Sequence, residues 1–416
     1  MMKRGLTLAL VLVAGLLANA QDTIKMMQYN LLYYGNYPEW CTETDNDMNN
    51  KADYIATIID HVKPDIFTVN EMDGSNYAAG HLLGNALNID GTTYYSMSYP
   101  GSDYLINMMY YNSNKLELTD HYVVGTEVRD IDIYVMRSLQ TADPVDFNVA
   151  VAHLKAGNED SDAVSRANMT DDFMTYLSGF SNQTNWIFAG DLNLYTSSEQ
   201  AYQNLVNPSQ GSITFTDPVN EEGDWHTNYS YRNYHTQSTH TPYDQCPSGG
   251  GLDDRFDFIL VSGDVLSGTN DFTYVLNSYK TLGQDGSHYN TSLIDGNNSS
   301  APSSVIEALY NNSDHLPVIA KFAVGESSGI ADVAATGNLK VSSIETRNGN
   351  ISFTLEQSKI SNGNAELFTL TGRKLSVIEF EANRKQRINV PCSQNGMLFV
   401  RISTERGDRK VFRVVK

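Results

Sequence analysis

Asp314 and His315 stand directly before a strand-like run that Pro317 stiffens, in the stretch NSDHLPVIAKF. A carboxylate and an imidazole in that position suit proton transfer or metal ligation. Taken alone they read equally well as a polar loop entering a strand. Five further strand-like runs carry one such group at an end. Ile24 to Tyr29 leads to Asn30, Asp65 to Asn70 leads to Glu71, Phe147 to Ala152 leads to His153, and Trp186 to Gly190 leads to Asp191, while Asp257 lies at the front of FDFILVS. Where neighbouring strands run antiparallel, the end of one lies beside the start of the next, so all these groups can meet at one sheet edge.

Together these residue types suit hydrolysis of a phosphoester. That reaction needs charge neutralised on the non-bridging oxygens, an activated water and a stabilised leaving oxygen. A hard divalent cation prefers oxygen ligands, and Glu71, Asn30 and Asp314 offer them. Asp191 and Asn193, two residues apart in GDLN, suit the water. His315 needs a partner to set its tautomer, for which Asp257 is the candidate, with a local ion pair between Asp257 and Arg255 as the alternative. His153 suits a hydrogen bond to a phosphoryl oxygen. No serine or cysteine nucleophile is required.

The elements that must position these groups are also legible. Ala52, Ile55, Ile59 and Val62 recur at helical spacing before Pro64, and Met169, Phe173, Leu177 and Phe180 repeat the pattern. Helices alternating with strands apolar on both faces predict an α/β layered domain. Glu221 to Leu252 has no periodicity and reads as a long loop near the site, with Ser248-Gly249-Gly250-Gly251 as its flexible end and His226, His235 and His240 exposed to solvent.

The segments MMQYNLLYYG, DIFTVNEMD, VAHLKAG, IFAGDLNLY, RFDFILVS and NSDHLPV, in this order, resemble the motif series of the endonuclease/exonuclease/phosphatase superfamily (deoxyribonuclease I-like), over Ile24 to Phe322. The resemblance implies a four-layer sandwich, two mixed β-sheets flanked by helices. It also implies Glu71 as the principal magnesium ligand, manganese or calcium being alternatives, with Asn30 and Asp314 nearby. Asp191 and Asn193 would handle the water, His315 with Asp257 would form the acid/base pair, and His153 would contact phosphate. Lys155 and Arg166 are weaker candidates for holding substrate, a helix-surface salt bridge being the alternative for Arg166. Tyr104 is a candidate for a tyrosine near phosphate.

The ends of the chain bound its location. Residues 1–20 hold Lys3, Arg4, an apolar run and Ala18-Asn19-Ala20, the pattern of a cleaved secretory signal. No later stretch is apolar enough to span a bilayer, so a soluble protein outside the cytoplasm is expected. Of the three cysteines, Cys41 and Cys246 are the expected disulfide, with three unpaired thiols as the alternative.

Charge marks a boundary. Residues 330–416 carry 14 Lys+Arg against 8 Asp+Glu, whereas residues 21–329 carry 12 against 41, a net of −29 within a total of −21. The expected organisation is a catalytic domain over 21–324, a linker over 325–335 and a small β-sandwich over 336–416. The tail phrases AELFTLTGRKLSV and NGMLFVRISTERGDRKVFRVVK resemble the C-terminal sorting domain of the type IX secretion system of Bacteroidetes. That resemblance implies passage through the outer-membrane machinery to the surface or the medium; an accessory binding module is the alternative.

These readings lead to a monomeric, magnesium-dependent phosphoester hydrolase, with an endonuclease on DNA or RNA expected first. A phosphodiesterase or phosphatase on lipid headgroups or small phosphoesters is the alternative, and a non-catalytic binding protein on the same fold the third reading. A net of −29 opposes a polyanionic substrate, although salt limits that repulsion to about 8–10 Å.

Overall fold

The computed structural model describes residues 23–325 and 339–415, apart from residues 102, 210, 212, 244, 245, 348, 370–373, 395, 396 and 407. The expected leader and all but the first residue of the expected linker lie outside the described residues.

Strands β1 (Thr23–Tyr34), β2 (Ile66–Asp73), β3 (Tyr95–Met97), β4 (Leu105–Asn112), β5 (Leu116–Val124), β6 (Ile131–Ser138) and β7 (Val145–His153) come first in the chain. They are followed by β8 (Trp186–Asp191), β9 (Phe215–Thr216), β10 (Asp257–Ser262), β11 (Phe272–Tyr274), β12 (Lys280–Thr281) and β13 (Val318–Val324). The first sheet has the order β11-β13-β1-β2-β4-β3, with β12 also on β13, and the second has the order β5-β6-β7-β8-β10-β9. Both are mixed, because β1 and β2 run parallel, as do β7 and β8, while their other neighbours run antiparallel.

Strand alternation explains the layering. In β1, Ile24 and Met26 enter the core between the sheets, where they join Phe147, Val149, Ile187 and Ile259, whereas Met27, Tyr29 and Leu31 point the other way. The outward face of the first sheet packs on α1 (Met48–Val62), and the outward face of the second on Met169, Phe173 and Leu177 of a later helix, Asp160–Ser178. An α/β four-layer sandwich results. Helix α1 starts on Asp47, whose carboxylate accepts from the N–H groups of Asn49 and Asn50, and stops at Lys63 in the left-handed conformation ahead of Pro64.

Beyond the first unit, strands Leu339–Arg347, Asn350–Gln357 and Lys385–Pro391 form one sheet, and Lys374–Phe380, Gly363–Thr369, Met397–Thr404 and Arg409–Val415 another. They enclose Phe353, Leu367, Val400 and, buried with them, Cys392. The first of these strands escapes a reading of the sequence because it is polar and largely exposed.

One buried ion pair organises the second sheet. Arg255, just before β10, grips both carboxylate oxygens of Asp217 at 2.7 and 3.0 Å, and both residues are buried. Arg255 therefore pairs with Asp217 rather than with Asp257, and its guanidinium lies 4.3 Å from the Phe258 ring centroid. Removing one partner strands the other charge in the core, so Asp217→Asn is expected to cost about 3–5 kcal/mol of stability. Urea denaturation checks this, and a loss below about 1 kcal/mol would contradict the structural role.

Among the described residues no helix is long and apolar enough to cross a membrane.

Candidate active site

The site is built where the first sheet loses its regularity. The register of β1 on β2 shifts between Asn30 and Tyr34, and that of β2 on β4 shifts between Val69 and Met72. Such bulges re-aim side chains, and here Leu32, Tyr33 and Glu71 all take positive φ, with Glu71 at 57°. Asn30 and Glu71 thus sit at bulges inside strands that continue past them, not at strand ends. In the second sheet His153, Asp191 and Asp257 lie in one row, since His153 is in register with Asp191 and Asp191 with Asp257. Gly190 makes that row close-packed: at φ +146° it lies where a Cβ would come within 1.8 Å of the Ala152 carbonyl oxygen.

The two halves meet through hydrogen bonds. Asn30 Nδ2 donates to Glu71 Oε1 at 3.1 Å and to Asp191 Oδ2 at 2.9 Å, while its Oδ1 accepts from the Leu32 N–H that the bulge frees. Asn30 therefore faces the carboxylates as a donor, which corrects the expectation that it supplies a metal-binding oxygen. Asp191 Oδ1 accepts from the Asn193 N–H at 3.1 Å, and Asn193, at φ 49°, donates its own Nδ2 to Leu154 O. His315 Nδ1 meets Asp257 Oδ2 at 2.7 Å. Nε2 of the same ring lies 3.7 Å from Asp191 Oδ2, and His153 Nε2 lies 3.5 Å from that oxygen. Glu71, His153, Asp191, Asn193, Asp314 and His315 line one pocket of about 430 Å³.

Desolvation dominates the electrostatics. Burial first, then Asp314, raises the pKa of Glu71. Asp191 is pushed up to about 7 by burial, against the pull of His315. Burial alone would lower His315, but the carboxylates of Asp257 and Asp191 outweigh it and raise its pKa well above the ordinary value. His153 moves the other way, held neutral by burial and by Arg129. Asp314 Oδ1 is buried without a hydrogen-bond partner. Crowded carboxylates, one with an orphaned oxygen, fit a divalent cation held by Glu71 and Asp314. Ligand atoms of Glu71, His153 and Asp191 also lie within 4.8 Å of one another.

The model of the Endonuclease/Exonuclease/phosphatase family matches residues 27–271. The chain belongs to this family. Its members are divalent-metal-dependent hydrolases of phosphoesters, in keeping with the donor set found here. No curated protein matches the chain. Among solved structures, D. rerio TDP2 complexed with single-strand DNA product is 12% identical, with 73% of this chain and 100% of that one covered and a TM-score of 0.47. The human Nocturnin catalytic domain with bound sulfate is 14% identical, with 73% and 98% covered and a TM-score of 0.44. A family protein from Bacteroides thetaiotaomicron is 14% identical, with 73% and 96% covered and a TM-score of 0.45.

The weaker expected site residues lie elsewhere. Arg166 is buried, with its fork spent on Glu199 at 2.7–2.8 Å and on the carbonyls of Lys155 and Gly157. It is neither a substrate contact nor a surface ion pair: it fastens the loop after β7 to α-helical and loop neighbours behind the site. Lys155 Nζ is taken by Asp162 at 2.8 Å and does not line the pocket. Tyr104 is 63% exposed and also lies off the pocket lining, although its carbonyl accepts from Asn36.

The described residues of 221–252 form a wall beside the site. His235 and His240 are buried, contrary to expectation, and only His226 remains open to solvent, on Asp254 at 2.7 Å. Gln237 forms isolated bridges with both Asp254 and His315. Cys246 is bonded to Cys41, which joins this wall to the loop after β1. The Ser248 N–H donates to Asp314 Oδ2 at 2.9 Å.

Several contributors leave no signal of their own in the sequence. Asn70 Oδ1 accepts from the Asp191 N–H at 2.9 Å. Lys51, buried with its pKa lowered to about 7 by desolvation, donates to Leu32 O, Asn46 Oδ1 and Asn312 O, so it ties the β1 bulge to the turn that carries Asp314. An interior lysine on an amphipathic helix is the sole cue to it, and that pattern is common.

Proposed function

We propose that this protein is a secreted, divalent-metal-dependent phosphodiester hydrolase that attacks with water. The single observation that carries this reading is the convergence of Glu71, Asp191 and Asp314, the last with an orphaned buried oxygen, on the His315–Asp257 pair. A bound cation would neutralise the non-bridging oxygens of the substrate. Asp191 and Asn193 hold the attacking water, and Asp191, with its raised proton affinity, accepts a proton from it. Asp257 fixes Nδ1 of His315, so Nε2 is the ring atom that faces the phosphoryl group. His153 stays neutral and donates from Nε2 without adding charge.

The pocket favours a small phosphodiester, or a lipid headgroup, over the interior of a nucleic acid. Among the described residues no Lys or Arg lines it, Arg129 being held behind it on the carbonyls of His153 and Leu154, and the disulfide-joined wall rises beside the reacting groups. Nucleic-acid binding draws on several cationic phosphate contacts, and residues 21–329 have a net charge of −29. Trp40, 60% exposed at the rim and edge-on to Tyr33, offers an apolar platform for the substrate's organic group. We further propose that residues 1–20 direct export, that residues 325–335 are a linker, and that the C-terminal β-sandwich is read by type IX secretion machinery.

The test compares hydrolysis of bis(p-nitrophenyl) phosphate with plasmid nicking by the full chain in magnesium or manganese at low and physiological salt. Turnover of the small diester with little nicking is expected. Efficient nicking at physiological salt would restore the endonuclease reading, and inactivity on both substrates would remove the hydrolase reading.

A further inference from the structure

The wall over the site places a neutral amide where a phosphoryl oxygen has to sit. Gln237 Nε2 lies 2.7 Å from His315 Nε2 and 3.2 Å from Asp314 Oδ2. Since Nδ1 of His315 is taken by Asp257, Nε2 is the ring atom that faces the pocket, and there it meets the Gln237 amide. An oxygen that meets Nε2 at ordinary hydrogen-bond length, about 2.7–3.0 Å, either comes within reach of the Gln237 amide or takes its place.

The amide is anchored against displacement. Its backbone N–H donates to Asp254 O at 3.1 Å, and its carbonyl accepts from the N–H groups of Asp253 and Asp254, both at 3.0 Å. The next residue, Ser238, donates its hydroxyl to Ser248 O, close to the Cys41–Cys246 bond. One N–H of the amide is held by Asp314 and the other is directed at Nε2 of His315, so a phosphoryl oxygen that enters between ring and amide would accept that N–H in place of the ring nitrogen. In a pocket that no Lys or Arg lines among the described residues, an amide that is already aimed supplies donation without charge.

We propose that Gln237 is a phosphoryl-contacting residue whose amide donates to a non-bridging oxygen of the bound phosphoester beside His315, an inference that rests on the hydrolase reading of the same pocket. Gln237 is then the part of the wall that reads the phosphoryl group, and the contact of Ser238 with Ser248 beside the disulfide holds that reader in place.

The experiment uses the full chain with magnesium. Binding of inorganic phosphate is measured by calorimetry, and kcat and KM are measured on bis(p-nitrophenyl) phosphate, for the wild type, Gln237→Met and Gln237→Glu. Loss of one hydrogen bond to a charged oxygen is expected to weaken phosphate binding by about tenfold or more in Gln237→Met, with a parallel rise in KM. Gln237→Glu keeps the size and adds a repelling charge, so phosphate binding is expected to vanish. Unchanged phosphate affinity in either folded variant overturns the contact. A loss confined to kcat also overturns it, because Gln237 would then be a positioning residue acting through His315. If the wild type turns over no diester while its phosphate affinity still depends on Gln237, the hydrolase reading fails and the contact stands.

Discussion

Turnover is expected to fall by about 10²–10⁴-fold when His315 is replaced by alanine, with the fold retained. The ring is buried, Nδ1 is bonded to Asp257 at 2.7 Å, and both carboxylates near it raise its affinity for a proton. Alanine removes the group that faces the phosphoryl oxygens and leaves Asp257, whose Oδ1 already lacks a partner, as a bare buried carboxylate. Some destabilisation is therefore expected as well. Asp257→Asn separates the two effects: it keeps the ring and its packing but withdraws the charge that orients it. A comparable loss in kcat for Asp257→Asn, with magnesium still raising the melting temperature, fits the paired role. Full activity in either variant would show that the pair is structural.

Glu71→Gln is expected to abolish the response to magnesium and to lower turnover by about 10³-fold or more, since a bound cation supplies several kcal/mol of charge stabilisation and each 1.36 kcal/mol is tenfold. The same substitution should stabilise the metal-free protein at neutral pH, because Glu71 is a buried carboxylate held near Asp314.

The direction in pH follows from the same groups. Asp191 titrates near 3.8 when unfolded and near 7 when folded, and Glu71 is raised in the same sense. A carboxyl whose folded pKa is raised contributes stability that is fully present below the unfolded pKa and is lost as pH rises through the folded one. In chelator, the melting temperature of the wild type should therefore fall between about pH 4 and pH 8. Magnesium should restore it at the upper end, by binding to the ionised form. In Glu71→Gln the fall should be smaller and the restoration absent. A magnesium-induced shift that persists in Glu71→Gln would move the cation to other ligands.

Which residues gather at the site was largely legible because it depends on residue type next to a strand. Glu71, His153, Asp191, Asn193, Asp257, Asp314 and His315 each follow or precede an apolar run, and the strands bring all seven to one place. Asn30 was found by the same rule, but its role was misread. Which atom of an amide faces a metal depends on a bulge, and the Leu32 N–H that claims its oxygen is free only because β1 breaks register there. Arg166 was misread for a related reason: a helical arginine followed by an exposed-looking pattern gives no hint that Glu199, 33 residues on, will bury it.

By itself the amino-acid sequence determined the layered α/β class, the order of the motifs, the bridge between Cys41 and Cys246 as the expected pairing, and the set of ionisable groups. These follow from local periodicity and from residue chemistry, which a linear chain carries in full. Only the tertiary structure decided how the groups face one another. It set Asn30 as a donor, Lys51 and Asn70 as supports, and Gln237 against His315, because these contacts join residues far apart in the chain and rest on bulges and on an aperiodic wall. Such segments have no repeating pattern, so their placement is settled by what they pack against.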